Sequence, residues 1–433
     1  MAAARPRAAR RVLFVVAFLD MLGVSMILPA LPQYVKSMDA GALVFGLLLS
    51  VYGCLQFFAA PLVGSLSDRY GRKRVLLSCL VGTSLSYLLL ALSWNVYVVF
   101  VSRVPAALFK HTLDLIKVAV TDGEPAERRA VIIGRLHAAI NAGFVVGPTV
   151  GGYVSSVPNG FSYATLLTTA LFGVNCCLVS RFYADPESCE AVVSTETAAD
   201  MLQSQAKDER GRSVDWQHVL HNAWTKLGGI RDIVKASKSA QTLLMARLLL
   251  TMAAVLYRTH FSVLLEDKFG MDSKDRGLML SYMGLLGVVG SFSVGFVTKF
   301  VKSNMLVLQL SVVTYAMTFF VLSGATAIST VYLTLVPQVI SISITRASSL
   351  ALQTTLVSQE HIGTFMGVSS SLTSVSRTVG PVLSGWTYVA SIDGPAYGAA
   401  CLAAFSAGIL CFAPDLAVAG SDSSGTDVEG KSK

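Results

Sequence analysis

Six ionisable side chains stand inside runs that are otherwise apolar: Asp20, Arg103, Lys110, His111, Asp114 and Arg377. Such groups can carry a proton, neutralise one another, or hold a solute of opposite charge. A charge sunk in hydrocarbon is expensive and persists where it meets a partner or water. Asp20 is the candidate proton carrier, and His111 titrates near neutral pH. Spacings of seven, four and three put Arg103, Lys110, Asp114 and Lys117 on one helix face. Lys110 and Asp114 are an i, i+4 pair able to compensate each other in part. The bland alternative is a charge cluster that only ties two helices together. Arg258 and Arg346 also fall in apolar runs. Embedded cations therefore outnumber Asp20 and Asp114, a balance that favours an anionic solute unless the arginines reach the interfaces. No P-loop, H-E-x-x-H or G-x-S-x-G is present, and the seven cysteines have no C-x-x-C spacing. An enzyme, an ATP-driven pump, a metal site, a cofactor and a disulfide framework are all disfavoured.

The elements that must position these charges are membrane helices. Hydrophobic residues make up 53% and charged residues 14%, against roughly 25% charged in soluble domains. The mean hydropathy is +0.61. At about 20 residues per span, the 433 residues hold roughly a dozen spans. They are expected near 12–34, 42–63, 75–93, 95–118, a fifth carrying 143–152, 161–181, 241–264, 276–298, 305–324, 328–352, 363–389 and 395–413. The net charge of +8 lies mostly in loops on one side, so it sets topology with both termini cytoplasmic, rather than binding nucleic acid. The arginines ahead of Val12–Leu19 imitate a signal peptide. The apolar run continues past Asp20 without a small-residue cleavage site, which predicts a retained first span. Residues 183–240 form an expected central loop, acidic at first. Then Trp216, Val219, Leu220, Ala223, Leu227, Ile230 and Val234 recur at the spacing of a helix on the membrane surface. The chain thus divides into bundles over 1–182 and 241–415, with a flexible tail over 416–433.

Between the second and third spans runs Gly64-Ser65-Leu66-Ser67-Asp68-Arg69-Tyr70-Gly71-Arg72-Lys73-Arg74-Val75-Leu76. Gly71 suits a tight reversal, Gly64 a close helix approach, and Asp68 the free N–H groups of another helix end. The pattern Gly-x-Leu-x-Asp-Arg-x-Gly-Arg-Lys-x-x-Leu resembles the signature loop of the major facilitator superfamily of secondary transporters. In that family an acid after the fourth span pairs with an arginine of this loop, which makes Asp122 and Arg72 the expected pair. Gly143, Gly147, Pro148, Gly151 and Gly152 resemble the Gly-Pro motif of the superfamily's antiporters. Their four-residue recurrence gives a flat ridge for close packing, and Pro148 bends the helix. The first span, Leu19-Asp20-x-x-Gly23 through Pro29-x-Leu31-Pro32, is similar to tetracycline-efflux proteins. Those proteins carry an acid tied to coupling where this chain has Ser86.

The two halves also match each other. Ser50-Val51-Tyr52-Gly53 matches Ser281-Tyr282-Met283-Gly284 and Gly64 matches Gly295, at an offset of 231. Gly134 matches Gly367 and Gly147-Pro148 matches Gly380-Pro381, at 233. Two remote matches at nearly one offset predict an all-α polytopic fold of twelve transmembrane helices, as two six-helix bundles related by a pseudo-two-fold axis. The expected function is secondary active transport of a small organic solute by alternating access, proton-coupled, with antiport favoured. The alternatives are uniport or symport of a small organic anion, and a receptor or assembly factor on a transporter fold. The partners expected are the solute, protons and the bilayer, for a monomer.

Overall fold

The computed structural model describes residues 5–122, 126–183, 238–301, 303–355 and 362–412. Among these residues there are fourteen helices and no strand. The first half contributes α1 (Arg5–Ile27), α2 (Leu31–Lys36), α3 (Ala42–Tyr70), α4 (Arg72–Ala91), α5 (Val96–Phe109), α6 (Thr112–Thr121), α7 (Ala126–Ser155) and α8 (Gly160–Phe182). The second contributes α9 (Lys238–Phe269), α10 (Ser273–Phe300), α11 (Asn304–Ser323), α12 (Ile328–Thr355), α13 (Ile362–Ala390) and α14 (Gly394–Cys411). Most of the expected central loop and the whole tail lie outside the described residues.

Eleven spans are long and apolar enough to cross a membrane, with α1–α2 and α5–α6 each acting as one. The 29-residue α13 completes twelve. It is less apolar because Ser and Thr crowd its centre. Those hydroxyls turn back on their own helix: Thr373 donates to the Ser369 carbonyl at 3.1 Å and Ser376 to the Leu372 carbonyl at 3.1 Å.

Two large apolar cores, with two smaller clusters beside them, hold the fold. One runs from Leu13 to Tyr183 and the other from Leu243 to Leu410. Phe58, Phe292, Phe320 and Trp386 are exposed on the outside. In lipid such side chains need no burial, so association rests on close packing of small residues. Gly143 and Gly151 show this on α7. A Cβ on Gly143 would stand 2.5 Å from the Phe18 carbonyl oxygen of α1, and Gly151 meets the Met26 backbone.

The bundles meet along two seams, α3 against α13 and α7 against α10. The seams are mirror uses of one repeat. Gly46 packs on the Pro381 carbonyl, and Gly277 packs on the Pro148 carbonyl. A Cβ on Gly53 would meet the Arg377 carbonyl at 2.7 Å, and one on Gly284 would meet the Phe144 carbonyl at 3.3 Å. Each pair maps onto the other by the same offsets as the sequence repeat. The glycines matched near the opposite ends, Gly64 with Gly295 and Gly134 with Gly367, have no atom within 4 Å of their Cβ positions.

The molecule is therefore closed at one face and splayed at the face bearing the signature loop. Polar bonds reinforce the closed face. Lys36 reaches Asp267 at 2.5 Å, Arg276 donates to Gln33 at 2.5 Å, and the Ser262 hydroxyl donates to the Pro29 carbonyl at 3.1 Å. His260 lies 3.0 Å from the Ala42 carbonyl through Nε2.

Candidate functional site

The signature stretch is more helical than a hairpin loop. α3 continues to Tyr70 and α4 starts at Arg72, so Gly71 alone makes the reversal, at φ 86°. Only glycine adopts that conformation readily. Gly64 lies inside α3 and meets no neighbour, because the bundles are apart at this end. Asp68 serves Arg72 rather than another helix's N-terminus: Arg72 Nη1 lies 2.6 Å from Asp68 Oδ1, and its Nε donates to Asp122 Oδ2 at 3.2 Å. Ser67 accepts from the same guanidinium at 2.7 Å. Arg69 lies over the Tyr70 ring at 5.4 Å. This network ties α3, α4 and α6 together within one bundle.

Deeper, the fourth span is broken, which the i, i+4 reasoning missed. α5 ends at Phe109 and α6 begins at Thr112, with Lys110 at ψ 55° between them. The break moves Lys110 away from Asp114 and onto Asp20 of α1, with which it forms a buried ion pair. Lys110 Nζ also sits 4.8 Å from the Phe172 ring centroid, a cation–π contact that helps keep a desolvated ammonium. Gln56 Nε2 caps the freed Lys110 carbonyl at 3.3 Å. Asp114 is exposed and, like Lys117, has no ion pair among the described residues. His111 is 4% exposed and its Nε2 has no partner among them.

Gly82 is what allows the break. A Cβ there would stand 2.9 Å from Phe109 Cβ and overlap its ring. Gly82→Ala should destabilise the protein by about 1–3 kcal/mol through overpacking, with Phe109→Leu in the same chain recovering most of the loss. Thermal unfolding in detergent checks both, and a Gly82→Ala protein as stable as the parent would contradict this packing.

Arg103 lies about two turns before the break and is the most unusual group in the site. It is 7% exposed, and its Nε and Nη2 find no hydrogen-bond partner among the described residues. Its titratable neighbours are Tyr87 and Tyr52, with no carboxylate among them. Ser86, the residue expected as a departure from the acid of efflux proteins, is fully buried and donates to the Ser102 carbonyl at 2.6 Å. Tyr52 has both Arg103 of the first bundle and Arg377 of the second as charged neighbours.

In the second bundle, Arg258 of α9 and Arg346 of α12 are neighbours of each other and of Tyr315. Arg258, Arg346 and Arg377 are all exposed at the protein surface. Such exposure in mid-helix cations fits the walls of a central cavity. Sequence spacing located each of these residues but could not group them, because the grouping depends on which helices face the gap.

The Major Facilitator Superfamily family model matches residues 13–381. The tetracycline resistance protein, class H, of Pasteurella multocida is 30% identical over 198 residues, 45% of this chain and 48% of that protein. The chain thus aligns with about half the length of that relative. The class E tetracycline resistance protein of Escherichia coli is 25% identical over 386 residues, 87% of both chains. The solved structure of the human organic anion transporter MFSD10 (TETRAN) superposes with a TM-score of 0.63 at 19% identity, over 94% of this chain and 99% of that one. At that identity the likeness concerns the fold.

Proposed function

The chain belongs to the Major Facilitator Superfamily, and from that premise we propose that this transporter moves a small organic anion by alternating access, coupled to protons. The observation that carries the reading is Arg103, buried with two guanidinium nitrogens unpartnered and no carboxylate beside it among the described residues. An unpaired buried cation costs several kcal/mol. A carboxylate or phosphate of the solute would recover that cost with charge-assisted hydrogen bonds. Arg377, reaching the same region from the second bundle, would let the bound anion draw the bundles together.

With the signature loop cytoplasmic, the splayed face makes this the inward-facing state. The opposite state would close Gly64, Gly134, Gly295 and Gly367 against one another as Gly46 and Gly277 close the outer seams now. The Asp68–Arg72–Asp122 network stands at that inner edge, placed to latch it. Residues 1–182 and 241–415 would rock as the two bodies.

Asp20 is the proposed proton carrier. Protonation would dissolve its pair with Lys110 and leave the cavity one charge more positive. Proton and anion would then reinforce each other's binding by linkage, which favours symport. Proton antiport is the second reading, favoured by the Gly143–Gly152 packing motif and by relatives named for tetracycline resistance.

Uptake by purified protein in liposomes, across a panel of radiolabelled organic anions and cations, tests the proposal. Anions should accumulate, and Arg103→Gln should reduce their uptake at least about tenfold, the effect of losing one charge-assisted bond of roughly 1.5–3 kcal/mol. Asp20→Asn should make uptake insensitive to an imposed pH gradient. Uptake restricted to cations, or anion uptake unchanged in Arg103→Gln, would overturn the reading. Accumulation driven by external acid supports symport, and accumulation driven by internal acid supports antiport.

A further inference from the structure

His260 of α9 is wedged into the α3–α13 seam at the closed face, and the anion reading makes no use of it. It is 1% exposed. Its Nε2 lies 3.0 Å from the Ala42 carbonyl oxygen at the start of α3, and its Nδ1 lies 2.7 Å from the Ser384 hydroxyl of α13. The Phe45 ring meets it edge-on at 5.6 Å, and the Tyr388 ring stacks on it at 5.1 Å. The packing around these contacts is tight, since a Cβ on Gly385 would stand 2.8 Å from the same Ala42 oxygen.

A carbonyl oxygen only accepts, so Nε2 carries a proton and donates it to Ala42. At Nδ1 two arrangements are satisfied. A neutral ring accepts from the Ser384 hydroxyl. A charged ring would donate to it, with Ser384 turning its own proton to the Leu256 carbonyl at 2.5 Å. Hydrogen bonding admits both states, so the surrounding charge decides between them. α3 meets the ring with Ala42 and Phe45, and α13 meets it with Ser384 and Tyr388, all uncharged. The acids at this end are committed elsewhere. Asp267, near the end of α9, accepts from the Tyr388 hydroxyl at 2.8 Å and pairs with Lys36 of α2. Asp393, ahead of α14, pairs with Lys268, and Glu266 pairs with Arg276. An imidazolium in the closed seam would thus be a buried charge with no counter-charge among the described residues, which is costly. Separation of α3 from α13 takes Ala42 away and admits water, where an imidazole titrates near pH ~6.5.

We propose that His260 is a proton-binding switch in the closed face, uncharged while α3 is docked on it and protonated once α3 leaves, so that acid at that face holds the seam open. The switch is separate from the Asp20–Lys110 pair, which lies within the first bundle. Protons bind the open form in preference, so each pH unit below about 6.5 shifts the equilibrium toward it by up to about tenfold.

The test uses the full chain in oriented membranes, with the native cysteines replaced by serine and Ser281→Cys as the reporter in the other seam. Its reaction with a membrane-impermeant thiol reagent applied at the closed face is followed from about pH 7.5 to about pH 5. Rates are taken relative to Ser37→Cys, an exposed position on the same face, which corrects for the ionisation of the thiol. The relative rate should rise at least about fivefold on acidification, within the ceiling that one proton sets. His260→Gln keeps an N–H for the Ala42 carbonyl and should flatten the profile, and His260→Asn should do the same. Asp267→Asn should leave the rise in place, because carboxylates titrate near pH ~4. A flat profile in the parent, or a rise that survives both His260 variants, would overturn the proposal. A thiol unmasked by Gly46→Leu but not by acid would overturn the switch alone and leave the rocking of the bundles standing.

Discussion

Lys110→Ala should destabilise the protein by about 3–5 kcal/mol, the usual cost of stranding one member of a buried ion pair. Asp20 is fully buried, and Lys110 is its only ion-pair partner among the described residues. Without the lysine, the carboxylate must ionise unaided or take up a proton. Asp20→Asn in the same chain removes the charge and should recover most of the loss, so the double-mutant cycle should show strong coupling. Asp20→Asn alone should cost less. The lysine retains the Phe172 ring face and a flexible stem that can move its head toward water. Thermal unfolding of the four proteins checks the cycle. Additive losses would mean that the two groups act independently and that the pair is not a unit.

Gly46→Leu should move the whole molecule, not only its own seam. The added side chain collides with the Pro381 carbonyl, and overpacking of this kind costs about 1–3 kcal/mol. The cost falls on the state in which the Gly46 seam is closed, as it is here. The equilibrium should therefore shift toward outer-open forms by roughly 5–150-fold. Ser281 reports the effect from the other seam, where it is buried and accepts from the Thr149 amide and hydroxyl at 3.0 and 2.7 Å. A Ser281→Cys thiol should become reactive from the outer face when Gly46→Leu is added, because rigid bundles open both seams together. Gly277→Leu, at the matched position, should do the same to a reporter in the first seam. Continued protection of the Ser281→Cys thiol would mean that the bundles flex locally.

The seams are legible in the amino-acid sequence. Ser50–Gly53 matches Ser281–Gly284 and Gly147-Pro148 matches Gly380-Pro381; of these, Gly53, Gly284, Pro148 and Pro381 meet the opposite bundle, while Gly147 packs on α1 and Gly380 on α9 of their own bundles. Small residues at fixed spacing leave a visible pattern, because a Cβ on Gly53 would stand 2.7 Å from the Arg377 carbonyl oxygen and one on Gly147 2.6 Å from the Leu22 carbonyl oxygen. The charges were legible as a set but not as pairs. Helical spacing joined Lys110 to Asp114, yet the chain breaks between them, and no proline or glycine stands at Lys110-His111 to announce it. The cause is Gly82 on another helix, which admits Phe109, and a single sequence does not reveal that neighbour. Gly64 illustrates a different limit. Its type suits a close contact, but which contacts are made depends on the state of the transporter, and in this state the helix ends bearing the signature loop are apart.

The central claim is that the embedded cations line a water path between the bundles, open to the face that carries the signature loop. Arg377→Cys, with the native cysteines replaced by serine, tests it most directly in oriented membranes. A membrane-impermeant thiol reagent should modify it from the signature-loop face, with little reaction from the opposite face until Gly46→Leu is added. A thiol that is unreactive from both faces in every background would place position 377 against lipid and contradict the account.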